Sequence, residues 1–180
     1  MRVCGILLGL AAIFVGSTPA RAQVAMYGEA TGGTLHFQET PHIYGGTFGF
    51  YDTRHHGPVL IGWDARGGVL LRGSNKGPNT DTELAMGQGG LRVALAPGIL
   101  SQSLVPYAEV LTGLGYWRGG VSVTRQDAYH FLFQGVAGLD YRITKKFDWR
   151  VAEFSYGRLG AQPGAIYPMM LSTGIVLRFP

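Results

Sequence analysis

From residue 24 onward, apolar and polar positions alternate with a period of two, and the alternation is punctuated by clusters of Gly, Pro, Asn, Asp and His. Eight strands are predicted, at about 24–37, 43–54, 57–71, 82–96, 104–118, 128–143, 147–160 and 167–179. At roughly 12 to 16 residues they exceed the five or six usual in soluble domains. Sorting each by parity gives two unlike faces. "LIGWDARGGVL" sets Ile61, Trp63, Ala65, Gly67 and Val69 against Gly62, Asp64, Arg66 and Gly68. "YHFLFQGVAGLDYR" sets Phe131, Phe133, Gly135, Ala137, Leu139 and Tyr141 against His130, Leu132, Gln134, Val136, Gly138, Asp140 and Arg142. One face is uncharged and aromatic-rich, and the other carries the charges. Strand 7 departs from this, because Arg150 and Arg158 fall on the face of Phe154 and Tyr156. That placement is assigned to snorkelling at a membrane interface.

Ahead of the strands, "MRVCGILLGLAAIFVGSTPARAQ" has one early basic residue, an apolar run from Val3 to Val15, and small residues closing on Ala20-Arg21-Ala22. This is the layout of a secretory signal peptide over 1–22, with the mature domain as 23–180. The apolar run is too short for a membrane helix. Cys4 is the chain's single cysteine, so the mature 158 residues contain none and no disulfide can brace them. Of 29 glycines, Gly5, Gly9 and Gly16 leave with the leader. The remaining 26 suit curved strands better than helices.

Losing Arg2 and Arg21 leaves 13 basic against 11 acidic residues, too near neutrality to indicate nucleic acid. Charged residues make up 14% of the chain, against the roughly 25% of soluble domains. Two all-β architectures accommodate eight alternating strands. A secreted lipocalin-like binding barrel would turn the apolar face inward, whereas a transmembrane barrel would turn it toward lipid. Sparse charge, a Gly, Ser and Thr-rich polar face and the absence of disulfides favour the transmembrane arrangement.

The segments "YGGTFGFY" (44–51), "GWDARGG" (62–68), "VPYAEVLTGLGY" (105–116) and "GLDYRITKKFDWRVAEFSYGR" (138–158) resemble the small outer-membrane β-barrel superfamily, typified by the OmpA transmembrane domain and the opacity-type porin-like proteins. The resemblance covers nearly the whole mature chain. It implies an eight-stranded antiparallel up-and-down transmembrane β-barrel in the outer membrane of a Gram-negative-type cell envelope. Its implied partners are outer-membrane lipids and the barrel-assembly machinery, which reads a terminal strand ending in Phe. Here Phe179 is that assembly signal, and Pro180 follows it.

With both termini in the periplasm, Glu29, Asp64, Glu109 and Glu153 on outgoing strands lie near the level of Arg92, Arg142 and Arg178 on returning ones. Together with Arg66 and Asp140 they are expected to form a belt of paired charges inside the periplasmic half of the lumen. The expected partners are Arg178 with Glu29, Arg92 with Asp64 or Glu109, and Arg142 with Glu109 or Glu153. An eight-stranded lumen is filled by side chains, so such charges must be paired.

No catalytic, cofactor or metal site is expected. His36, His42, His55 and His56 read as turn residues with no carboxylate cluster beside them. Lipid A deacylases are similar in size and carry His-x-Ser-Asn, but the nearest counterpart here, Glu153-Phe154-Ser155-Tyr156, lacks both the histidine and the asparagine. His130 on the inner face is the one histidine available to Ser155. The longest external loop, 72–83, has the composition of a solvated loop. The expected role is therefore that of a monomeric structural or surface-interaction barrel, with a narrow porin-like channel as the alternative and a lipid-modifying enzyme behind it.

Overall fold

The computed structural model describes residues 23–36, 42–72, 83–119, 126–160 and 165–179. The leader, Pro180 and most of the loops expected at 37–43, 71–82, 118–128 and 160–167 lie outside them. The strands are β1 (Gln23–His36), β2 (His42–His56), β3 (Val59–Arg72), β4 (Glu83–Leu95), β5 (Leu104–Gly119), β6 (Gln126–Arg142), β7 (Phe147–Leu159) and β8 (Tyr167–Phe179). Each boundary falls within two residues of its expected place. His55 and His56 end β2 opposite Leu60 and Val59 rather than forming the turn. That turn is the two residues Gly57 and Pro58, with Gly57 at φ 63°, where a side chain would be strained.

Every strand pairs antiparallel with its sequence neighbour, and β1 closes on β8 from Val24 opposite Phe179 to His36 opposite Tyr167. The result is an eight-stranded closed barrel with no free sheet edge. Gln23 and Phe179, the first and last described residues, lie at one rim, called here the terminal rim, and the strand ends that flank the partly described loops lie at the far rim.

The apolar face points outward on every strand. Phe48, Leu91, Leu114, Phe131, Leu171 and Ile175 are between 57 and 70% exposed, far beyond what a water-soluble surface of this size carries as one continuous band. Inside, the far-rim half is closed by a buried apolar plug. Leu35, Ile43, Leu70, Leu84, Leu132, Leu159 and Met170 supply it from seven strands, and Trp117 of β5 packs against it. Smaller apolar groups close the interior toward the terminal rim, with Ala25 and Val176 on one side and Leu60, Ala94 and Val105 on the other. Glycine makes room where bulky side chains cross the interior: a Cβ at Gly49 or Gly138 would run into the ring of Tyr27 or Tyr107.

One irregularity changes the face assignment. β6 pairs Leu139 with Ala152 and Asp140 with Arg150, leaving Val151 without a partner. On the other side, Thr173 alone spans the interval between the partners of Arg150 and Glu153. This is a β-bulge, and the inserted residue reverses parity for everything before it. Asp148 and Arg150 therefore face inward together with Glu153 and Ser155, and the sequence expectation of an outward Arg150 is corrected. The Thr173 hydroxyl donates to the Arg150 carbonyl at 2.8 Å and accepts from the Trp149 indole at 3.2 Å, satisfying a carbonyl that the bulge removes from the ladder.

Deleting Val151 removes the extra residue and leaves Arg150 and Glu153 two apart on a regular strand, both still facing the lumen. The deletion variant is therefore expected to yield a heat-modifiable species, as Val151→Ala does, when refolded into detergent and compared by gel mobility with and without boiling. Loss of that species on deletion alone would show that the bulge is needed for more than the facing of Arg150.

Candidate functional site

Between the plug and the terminal rim, side chains from six strands converge on one ionic network. Glu29 comes from β1, Asp64 and Arg66 from β3, Arg92 from β4, Glu109 from β5, Asp140 from β6, and Arg150 and Glu153 from β7. All eight are buried, and Arg150 is 0% exposed. Arg66 pairs with Asp64 at 3.1 Å, with Glu153 at 2.5 Å and with Glu109. Arg92 pairs with Glu109 and, at 2.9 Å, with Asp140. Arg150 holds Glu29 at 2.6 Å, Asp140 at 3.0 Å and Glu153 at 3.1 Å. Glu109, Asp140 and Glu153 each bridge two guanidiniums, so the network is one connected body.

Five carboxylates share three guanidiniums, and neutral donors complete their shells. The hydroxyls of Tyr27, Tyr107 and Thr47 donate to Asp64 at 2.9 Å, Glu153 at 2.7 Å and Glu29 at 2.7 Å. The phenol rings also cover the cations. Arg92 lies between Tyr51 and Tyr107 at 4.1 and 3.6 Å from the ring centroids, and Arg150 lies over Tyr27 at 4.2 Å. Stacking a guanidinium on aromatic faces is favourable where water is excluded.

The network holds Glu29, Asp64, Arg66, Arg92, Glu109, Asp140 and Glu153 of the belt expected from the sequence, and Arg92 does pair with Glu109. Three expectations are corrected. Arg178 pairs with Asp148 at 2.7 Å near the terminal rim, not with Glu29, because the bulge brings Asp148 inward beside it. Arg142 is half-buried and makes no ion pair among the described residues, so neither Glu109 nor Glu153 is its partner. The cation serving Glu29 is Arg150, which parity alone had placed outside. A small cavity lined by Arg92, Asp140, Arg142, Asp148 and Arg178 opens at this level, with room for about one water.

Sequence reasoning also missed the tyrosines. Their signal was present: Tyr27-Gly28-Glu29 and Tyr107-Ala108-Glu109 repeat Tyr-x-Glu on outgoing strands. Asp148-Trp149-Arg150 likewise repeats the Asp-x-Arg of Asp64-Ala65-Arg66.

As chemistry, the site is a paired ionic core with five carboxylates against three guanidiniums, and the one serine and histidine on the inner face of β7 and β6 do not meet. Ser155 is buried opposite Val136, and His130 lies six residues further along β6, roughly 20 Å away. Among the described residues no group of three or more His, Cys, Asp or Glu is arranged to hold a metal.

The arrangement invites comparison with solved barrels. The structure superposes on Neisserial surface protein A with a TM-score of 0.63 at 15% identity, covering 87% of this chain and 97% of that one. The chain has the fold of the small outer-membrane β-barrels. The outer membrane enzyme PagL gives 0.59 at 12% identity over 83% of this chain and 97% of that chain. Ail, the attachment invasion locus protein of Yersinia pestis, gives 0.55 at 11% over 88% and 97%. At these identities the likeness is one of fold, and it spans a surface protein, an enzyme and an attachment protein alike. No protein-family model and no curated protein matches the sequence.

Truncating one member of a buried pair leaves its partner's charge uncompensated, which costs about 3–5 kcal/mol. Glu109→Gln and Arg92→Gln are each expected to lose stability of that order in urea unfolding in detergent. Together they lose at least about 1 kcal/mol less than the sum of the singles, because they remove the same contact. Additivity of the two would mean that the pair is not coupled.

Proposed function

We propose that the chain is an integral outer-membrane β-barrel with a structural or surface-interaction role, exported by the 1–22 leader and inserted as a monomer. The observation that carries this reading is the inverted barrel: a continuous apolar exterior around an interior where every buried charge of the central network is paired. Such an exterior requires lipid, and such an interior requires closure of the hydrogen-bond ladder. The length of β8 agrees: 13 residues tilted as barrel strands are would rise roughly 30 Å, close to a hydrocarbon core. Trp149, Phe147 and Phe179 mark the terminal rim, and Tyr116, Tyr129, Tyr156 and Tyr167 mark the far one, as interfacial girdles would. In this placement the terminal rim is periplasmic, the far-rim loops are external, and β8 ending at Phe179 is what the assembly machinery reads.

The apolar plug argues against the channel alternative, because side chains from all eight strands fill the far-rim half of the lumen where an aqueous path would run. Burial of Ser155 far from His130 argues against a deacylase-like reaction. The surface-interaction part of the reading draws on Neisserial surface protein A and Ail, and the external loops are where such an interaction would lie.

Reconstituted in planar bilayers at high salt, the protein is expected to show no sustained unit conductance. Stable, reproducible steps would instead establish the narrow channel and require an opening of the plug.

A further inference from the structure

We propose that the periplasmic turn between β6 and β7 binds the phosphate of an anionic phospholipid in the inner leaflet of the outer membrane, with Lys145 and Lys146 as its cations. The inference rests on the membrane placement above and goes beyond it.

The turn is built to present these lysines. The Thr144 hydroxyl accepts from the Lys146 and Phe147 amides at 3.2 and 3.0 Å, and the Ile143 amide donates to the Phe147 carbonyl at 3.1 Å. Arg178 fastens it from β8: its amide donates to the Lys146 carbonyl at 2.8 Å and its guanidinium to the Thr144 carbonyl at 2.7 Å. With its backbone groups taken up in this way, the turn leaves both ammonium groups for an external anion. Lys145 and Lys146 are exposed and make no ion pair among the described residues.

The nearest carboxylate in sequence is withheld from them. On a regular strand, Asp148 would share the outward face with Phe154 and sit beside the turn. The Val151 bulge turns it inward, where it is buried and paired with Arg178. The same shift that completes the ionic core thus leaves no carboxylate of β7 on the outer side of the turn.

The surroundings select a lipid over a free anion. Ile143, Phe147, Trp149 and Phe179 flank the turn and are between 45 and 62% exposed on the outward face. A phosphate at the lysines would set its acyl chains against that surface. Interfacial basic residues gain favourable energy from anionic headgroups, corresponding to about fivefold in retention for each lysine.

The test is native mass spectrometry of the full chain, expressed with its own leader and extracted in neutral detergent, after incubation with phosphatidylglycerol or phosphatidylcholine of identical acyl chains. The protein is expected to retain phosphatidylglycerol by about tenfold or more over phosphatidylcholine, with no displacement by excess inorganic phosphate. Lys145→Gln/Lys146→Gln is expected to retain the two lipids equally, each single variant to fall between, and Arg158→Gln at the far rim to behave as the parent. Equal retention by the parent, an undiminished preference in the double variant, or displacement by inorganic phosphate would overturn the proposal. Gel mobility with and without boiling distinguishes the two levels of failure. A heat-modifiable parent without the preference sinks the lipid site alone, and a parent that is not heat-modifiable sinks the membrane placement with it.

Discussion

Charges sealed inside a side-chain-filled barrel must be paired and hydrogen-bonded, and the rest of this structure follows from that requirement. Each ion brought into the interior forfeits several kcal/mol of hydration, recovered only through close pairing and complete hydrogen bonding. The structure meets the demand by sharing. Glu109, Asp140 and Glu153 each serve two arginines, and Tyr27, Tyr107 and Thr47 supply donors to their carboxylates. Small residues are needed where the phenols cross the lumen, which accounts for Gly49 and Gly138 facing inward on β2 and β6. Apolar layers on both sides enclose the network, and the exterior between the rims is left largely apolar.

The bulge at Val151 ties this core to the surface. A single inserted residue moves Asp148 and Arg150 from the lipid side to the lumen, giving Glu29 its cation and Arg178 its anion. Bulges carry a local cost in pairing, and the Thr173 hydroxyl offsets part of it at the Arg150 carbonyl. The outward side of the neighbouring turn is left with lysines and aromatic residues. One backbone device therefore sets both the electrostatics of the interior and the character of the terminal rim.

Most of the architecture was legible from period-two alternation, because along seven strands parity is uninterrupted and a face once identified stays identified. Seven members of the ionic core could be named for the same reason. Arg150 could not, since the bulge falls at Val151-Ala152, two residues of ordinary strand character with no Gly or Pro to mark an irregularity. The partners of Arg178 and Arg142 were misjudged as a consequence. Placing residues at a common level ignores the stagger that a tilted, closed sheet imposes, and here Glu29 faces Gly174 rather than Arg178 across the β1–β8 seam. The tyrosine donors were visible as repeated Tyr-x-Glu but are chemically silent until the lumen is known to be dry.

The inverted barrel, apolar outside and ionic inside, is the central claim. Its most direct test is to dilute residues 23–180 from urea in parallel into detergent micelles and into plain buffer, following β-sheet circular dichroism and gel mobility before and after boiling. A β-rich, heat-modifiable species in micelles, with aggregation in buffer, is the result this structure predicts. A stable β-rich monomer in plain buffer would contradict it, since no barrel with this exterior could persist in water.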